Sequence, residues 1–403
     1  MDLMDRGIYQ RETLPVSGSG SVADLVNTRD WDNSSIRGLA WHPHCFRLAV
    51  VTRDDRIRIF SQAMQGVPIL RHSAQKSVCC MSWRPLTGRE LAVACQTGVL
   101  LWTIELGAAS NSLSQAVLLK QRNHAPVTNV IWHPQGELLV SCSPADLNML
   151  IWDTSKKEAV PLRRVGGGGL CFTRWSLCGS RLFAATYRGI FRVWNTGTAA
   201  AWHAEKWTVP NGRVAVACFG PNLTLLFAST DDPSTIFSLP LQEKIFDMRK
   251  ATSDDIKMAV PLIDLTQVSF TSNNRDEYVP IGGRIVAMEW DLTGRFLAIL
   301  FQDSPLVALV KTTVATLSRV VDVKPACLIK GFPGEVPNCF NFCQAKNFES
   351  TICLTIAWSS GRIQHFPIVE HENTPDIDPN SALISHTFSV KDESHYFDFS
   401  TYS

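Results

Sequence analysis

Apolar runs of three or four residues, each closed by polar or turn-forming positions, recur along most of the chain. Leu48-Ala-Val-Val51, Leu91-Ala-Val-Ala94, Leu138-Leu-Val140 and Leu297-Ala-Ile-Leu300 are too short for helices and read as buried strands. A second kind of segment reads Arg56-Ile-Arg-Ile-Phe60, Val99-Leu-Leu-Trp102, Met149-Leu-Ile-Trp-Asp153 and Ile190-Phe-Arg-Val-Trp194. Arg56 to Phe60 alternates polar and apolar at period two, which marks a half-buried strand.

An aromatic residue and a turn recur with these strands. Leu39-Ala-Trp41-His-Pro43 is echoed by Met81-Ser-Trp83-Arg-Pro85, Val130-Ile-Trp132-His-Pro134, Thr173-Arg-Trp175-Ser-Leu177, Ala217-Cys-Phe219-Gly-Pro221, Met288-Glu-Trp290-Asp-Leu292 and Phe340-Asn-Phe342-Cys-Gln344. Most of the seven stand near the ~40 to 45 residues apart that one four-stranded propeller blade requires. The interval from Phe219 to Trp290 is longer. Residues 241–280 within it are polar, charged and outside the repeat, so they read as an inserted loop.

The fold predicted is all-β: a seven-bladed propeller over residues 36–368, a short N-terminal segment over 1–35, and a polar tail over 369–403. One blade alone leaves both faces wet, whereas a closed ring covers them and removes long sheet edges. The seven aromatics Trp41, Trp83, Trp132, Trp175, Phe219, Trp290 and Phe342 are expected between neighbouring blades, where large rings bury most area. Ser21-Val-Ala-Asp-Leu-Val26 is a candidate outer strand for the last blade.

The third unit is similar to the WD repeat. His124, Asp146 and the pair Trp152-Asp153 match that repeat's hydrogen-bonded network, in which His and Asp tie turn to strand. Asp54 holds the place of Asp146 in the first unit, while Gln96 and Arg188 replace it in the second and fourth. The resemblance implies a WD-repeat propeller with degenerate repeats that lean on packing.

Composition narrows the function. A chain of 403 residues that is 45% hydrophobic has ample core material, and a formal net charge of +1 argues against a main task of gripping nucleic acid. The start, Met1-Asp-Leu-Met-Asp-Arg6, has acids where a signal peptide has bases, and the apolar stretch Leu297 to Val310 is broken by Gln302-Asp-Ser-Pro305. An intracellular chain without a membrane span is expected. The twelve cysteines sit mostly singly inside apolar runs, as reduced thiols would, and Cys339-x3-Cys343 has no second pair to complete a zinc site.

The densest candidate for metal chemistry is Trp41-His-Pro-His-Cys45. His42 and Pro43 recur as His133-Pro134 without a following His-Cys pair, so a repeat turn is the reading preferred over a metal site. Gly166-Gly-Gly-Gly169 lacks the closing Gly-Lys-Ser/Thr and the helix of a phosphate loop and reads as a connection between blades. Arg163 and Arg164, in Leu162-Arg-Arg-Val-Gly166, are a candidate anion site, a near miss to the motif of phosphoinositide-binding propellers; a solvated turn is the competing account. No Gly-x-Ser-x-Gly elbow occurs, so no catalytic residue, cofactor or metal is assigned. The tail from Ile368 carries seven acids against Lys391 and reads as solvated and partly disordered. Its aromatic end, Tyr396 to Tyr402, is an alternative docking segment.

The order of particular stretches resembles the aladin family of WD-repeat nucleoporins. It is carried by Trp41-His-Pro-His44, Leu91-Ala-Val-Ala-Cys-Gln96, the glycine run, Phe191-Arg-Val-Trp194, Leu262-Ile-Asp-Leu-Thr266 in the insert, and Trp358-Ser-Ser-Gly-Arg-Ile363. The resemblance implies a noncatalytic scaffold of the nuclear pore complex at the nuclear envelope, with a cytoplasmic pool as a further location. It implies other nucleoporins as partners, notably a transmembrane nucleoporin of the pore membrane, and a part in nucleocytoplasmic transport. Membrane association would be indirect, with no direct nucleic-acid contact. The alternatives are a soluble WD-repeat adaptor in trafficking or ubiquitin ligation, and a phosphoinositide-binding propeller.

Overall fold

The computed structural model describes residues 22–26, 28–61, 66–105, 114–163, 168–197, 202–241, 256–271, 278–315, 321–343, 352–368 and 386–389. They form a seven-bladed β-propeller. Its inner strands are Ile36–Trp41, Cys80–Trp83, Asn129–Trp132, Leu170–Trp175, Val214–Phe219, Ile285–Trp290 and Pro337–Cys343, and each is the first strand of an antiparallel meander. We number the blades 1 to 7 in that order. Turns between strands two and three, and connections from one blade to the next, lie on one face, termed upper; turns from strand one to two and three to four lie on the lower face.

Seven hydrophobic clusters fill the seven seams between blades, and each contains one repeat aromatic. Trp83 packs between blades 1 and 2 and Trp132 between 2 and 3; the series runs on to Trp41 between blades 7 and 1. All seven rings are buried. Burying one such side chain contributes ~2–3 kcal/mol, so the seams rather than the separate sheets carry the ring.

The channel edge of an inner strand has no neighbouring strand, so its N–H groups need other acceptors. The preceding blade supplies them from the residue just before its aromatic. Ser82 Oγ accepts the Trp132 N–H at 3.1 Å, Cys218 Sγ that of Trp290, Glu289 Oε1 that of Phe342 at 3.3 Å, and Asn341 Oδ1 that of Trp41 at 2.7 Å. Between blades 3 and 4 Asn129 Oδ1 does the same for the Thr173 N–H at 3.0 Å.

Three expectations change. Val22–Leu25 forms a helical turn, and blade 7 takes its outer strand from the tail instead, with His386–Ser389 pairing antiparallel to Arg362–Ile368. Blade 7 is thus in sequence order like the other six, with its outer strand following the other three. The insert is more than a loop. Val260–Asp264 is the outer strand of blade 5, paired with Thr235–Pro240, and Ile256–Met258 adds a parallel fifth strand to blade 4 beside His203–Thr208. Ser269–Thr271 and Tyr278–Pro280 form a separate hairpin. The rest of the tail lies outside the described residues.

The seam between blades 7 and 1 therefore closes without exchanging a strand. It holds through Trp41 Nε1 donating to Thr355 Oγ1 at 2.9 Å, Asn338 Nδ2 to Ser34 Oγ at 2.6 Å, and the Asn341 bond above, which joins residues 300 apart. Asn341 also donates to Glu289 at 2.8 Å and so couples two seams. Replacing Asn341 by Leu strands the Trp41 N–H and leaves Glu289 with the Phe342 N–H; we expect a loss of about 2–4 kcal/mol in chemical denaturation, against about 1 kcal/mol or less for a substitution on an exposed outer strand.

Candidate functional site

Blade 3 contains a continuous polar chain. Trp152 Nε1 donates to Ser141 Oγ at 2.8 Å, Ser141 reaches His124 Nε2 at 2.8 Å, and His124 Nδ1 donates to Asp146 Oδ2 at 2.8 Å. Burial works against the Asp146 charge, yet hydrogen bonds from His124 and the Asn148 N–H hold its carboxyl below the usual range. His124 and Ser141 are buried, so this chain ties the connection from blade 2 to the strands of blade 3 and is closed to a substrate. Sequence reasoning missed Ser141, because a serine in a small-residue strand carries no distinguishing signal. Asp153 stands apart from the network. It is exposed and caps the next turn, accepting from the Ser155 and Lys156 N–H groups, because its side chain points away at the strand's end.

In blade 1 Asp54 accepts from Thr52 Oγ1 at 2.6 Å and pairs with Arg56 at 2.9 Å, a local turn without a histidine. The longer tie is made by Asp55, whose carboxylate accepts the Ser77 and Val78 N–H groups, both at 2.9 Å, and thereby holds the connection to blade 2. Asp55 sits at φ +60°, a conformation that an aspartate tolerates better than most side chains. Blade 2 replaces the histidine network with Gln75, which accepts from Trp102 Nε1 at 2.9 Å and donates to the Asp55 carbonyl. His42 serves its own turn: Nδ1 accepts the His44 and Cys45 N–H groups at 3.0 Å, and burial pushes the ring's pKa down to about 4.

Two glycine sites show close approach. A Cβ at Gly220, in the Phe219-Gly220 pair, would stand 2.0 Å from the Trp290 ring, and one at Gly169, ending the glycine run, 1.9 Å from the Pro144 carbonyl oxygen. Both are packing requirements.

The faces differ. Residues 22–26 and 28–35 run along the upper face, where Tyr187 Oη donates to the Leu25 carbonyl at 2.9 Å and Arg29 Nη1 to the Ser304 carbonyl at 2.5 Å, reaching blades 4 and 6. Trp31 is buried beneath Arg37, whose guanidinium lies 4.4 Å from the ring centre. Phe332 stands 63% exposed on the upper face of blade 7 with Arg362 stacked on it at 4.2 Å. The lower face presents exposed leucines in equivalent turns of blades 2, 4 and 6: Leu86 (73%), Leu177 (44%) and Leu292 (45%). Arg163 is exposed on the connection from blade 3 to 4, and Arg164 lies outside the described residues. Among the described residues no cluster of three or more His, Cys, Asp or Glu is placed to hold a metal ion, and no helix is long and apolar enough to cross a membrane.

The model of the aladin seven-bladed propeller family matches residues 17–369. The chain belongs to the aladin propeller family. It is also similar to a protein named Aladin from Arabidopsis thaliana, 25% identical over 386 residues that cover 89% of this chain and 82% of that protein.

In this aladin-family ring one acid faces the channel seam. Burial pushes the Glu289 pKa up to about 7, against hydrogen bonds from Asn341 and the Phe342 N–H and the charge of Arg174. A carboxyl raised on folding binds more protons in the native state than in the unfolded one, so its stabilisation falls as pH rises from the unfolded value toward 7. The loss is on the order of 3 kcal/mol. Glu289→Gln should flatten that decline in denaturation measured from pH 5 to 8 and leave the variant more stable than the parent at pH 8.

Proposed function

We propose that this chain is a noncatalytic scaffold nucleoporin, a component of the nuclear pore complex held at the nuclear envelope by a transmembrane nucleoporin and contributing to protein transport between nucleus and cytoplasm. The observation that supports the reading is the aladin propeller match over residues 17–369, joined to a complete ring of seven blades. A rigid ring with variable turns suits protein recognition, because each turn can change without disturbing the seams. Other nucleoporins are the partners in this reading, membrane association is indirect, and nucleic acid is not contacted.

Two faces are offered unequally. Residues 22–26 and 28–35 already lie on the upper one, whereas the lower face shows Leu86, Leu177 and Leu292 to solvent. Tagged full-length protein should give a punctate nuclear rim, with pore-membrane nucleoporins among the neighbours found by proximity labelling. Replacing all three leucines by Asp should disperse the rim signal, while Phe332→Ala on the upper face should keep it. Diffuse cytosolic signal of the unaltered protein with ligase or vesicle-coat neighbours overturns the pore assignment.

A further inference from the structure

The lower turn of blade 1, Trp41-His-Pro-His-Cys-Phe-Arg47, leaves one charge uncovered. Arg47 is only 5% exposed, yet its Nε and Nη1 donate to nothing; among the described residues it is the only charged side chain with buried donors that lack an acceptor. Its guanidinium lies 5.8 Å from the Trp83 ring centre, and the neighbouring charged side chain, Arg89, repels it. A hydrogen bond to a charged donor contributes ~1.5–3 kcal/mol, and leaving such a donor buried without one costs at least as much. An oxygen acceptor belongs at this seam.

The space for one is bounded by Cys45 and Gly88. A Cβ built on Gly88 would stand 3.4 Å from Cys45 Sγ and 3.6 Å from Arg47 Nη1, so the thiol and the guanidinium face the same slot, which glycine leaves without a side chain. The equivalent glycines of blades 3, 4 and 6 show how tight this position usually is. A Cβ at Gly136, Gly179 or Gly294 would stand 2.7, 2.3 or 2.4 Å from the preceding blade's turn. The seam between blades 1 and 2 is wider by the better part of an ångström or more, and Cys45 is half-buried, so a small reagent can reach it.

We propose that Cys45 is an oxidation site, at which hydrogen peroxide converts the thiol to sulfenic acid and the new oxygen becomes the acceptor that Arg47 lacks. The sulfur lone pair attacks one peroxide oxygen, an S–O bond forms and the O–O bond breaks. Sulfur loses two electrons to the peroxide, and the leaving hydroxide takes the thiol proton to depart as water. Arg47 then donates to the sulfenic oxygen from within the slot. Seven other thiols offer less competition: burial pushes up those of Cys79, Cys95, Cys142, Cys218, Cys327, Cys339 and Cys353, which disfavours the nucleophilic thiolate. Cys178 is exposed, and although burial works against its thiolate, hydrogen bonds from Ser176 and Ser180 hold its thiol below the usual range, so it is the competing accessible thiol, without a guanidinium.

The test treats the full-length protein with hydrogen peroxide, traps sulfenic acid with dimedone and quantifies labelled peptides by mass spectrometry. Cys45 should accumulate label, and Arg47→Met should lower it about tenfold, the equivalent of one charged hydrogen bond, with Cys178 labelling unchanged. Arg47→Lys should fall between. Equal Cys45 labelling in the parent and Arg47→Met, or labelling confined to Cys178, overturns the proposal. Should Arg47→Met fail to fold, a measurement on the intact chain decides. Peroxide should raise the thermal midpoint of the parent protein and leave that of Cys45→Ser unchanged; a parent midpoint that stays or falls overturns the proposal.

Discussion

The ring depends on the seam where blade 7 meets blade 1. Six of the seven seams join blades that are neighbours in sequence, and the chain itself keeps those blades close. The seventh has no such help. It is held by Trp41 buried among residues of both blades, by the Trp41 N–H and indole N–H reaching Asn341 and Thr355, and by Asn338 reaching Ser34. No strand is exchanged across it, since His386–Ser389 completes blade 7 from its own side. Everything else in the fold presupposes that these few side-chain contacts hold.

In blades 2, 5, 6 and 7 the residue before the aromatic belongs to a belt of acceptors around the channel, and that shared role tolerates variety. Ser82, Cys218, Glu289 and Asn341 differ in charge and size but share one task, accepting an N–H from the next inner strand. Glu289 performs it at the cost of carrying a carboxyl where water is scarce, and Asn341 is what makes that position tolerable. The polar network of blade 3 solves a different problem, fixing a connection to its blade, and blades 1 and 2 solve it with Asp55 and Gln75 instead. Degenerate repeats are possible because several side-chain sets satisfy the same backbone groups.

Much of this was legible in the sequence. Period-two strands, the recurring aromatic and its spacing identify seven blades, because burial between blades constrains those positions most strongly. The membership of the third unit's network was partly legible: His124, Asp146 and Trp152 meet, but through Ser141, and Asp153 faces solvent at the end of its strand. The outer strands were hidden for a physical reason. An outer strand pairs along one edge only and packs loosely, so the sequences of Val260–Asp264 and His386–Ser389 are under weak hydrophobic demand and read as loop and tail. Asp55 and Gln75 were likewise invisible, since polar residues in turns reveal their partners only in three dimensions.

A ring closed by side chains alone has a history written into its synthesis. Blades 1 to 6 can dock in order as the chain leaves the ribosome, each on the one before, with only local searches. Trp41 must wait for a residue 300 positions later. At ~5–20 residues per second that wait is on the order of tens of seconds, and closing so long a loop adds little entropy penalty, about 0.6 kcal/mol for each doubling of length. The burden falls on time rather than on stability: throughout that interval the nascent spiral shows one greasy flank of its first blade to water, and this flank is where a folding helper would have to bind.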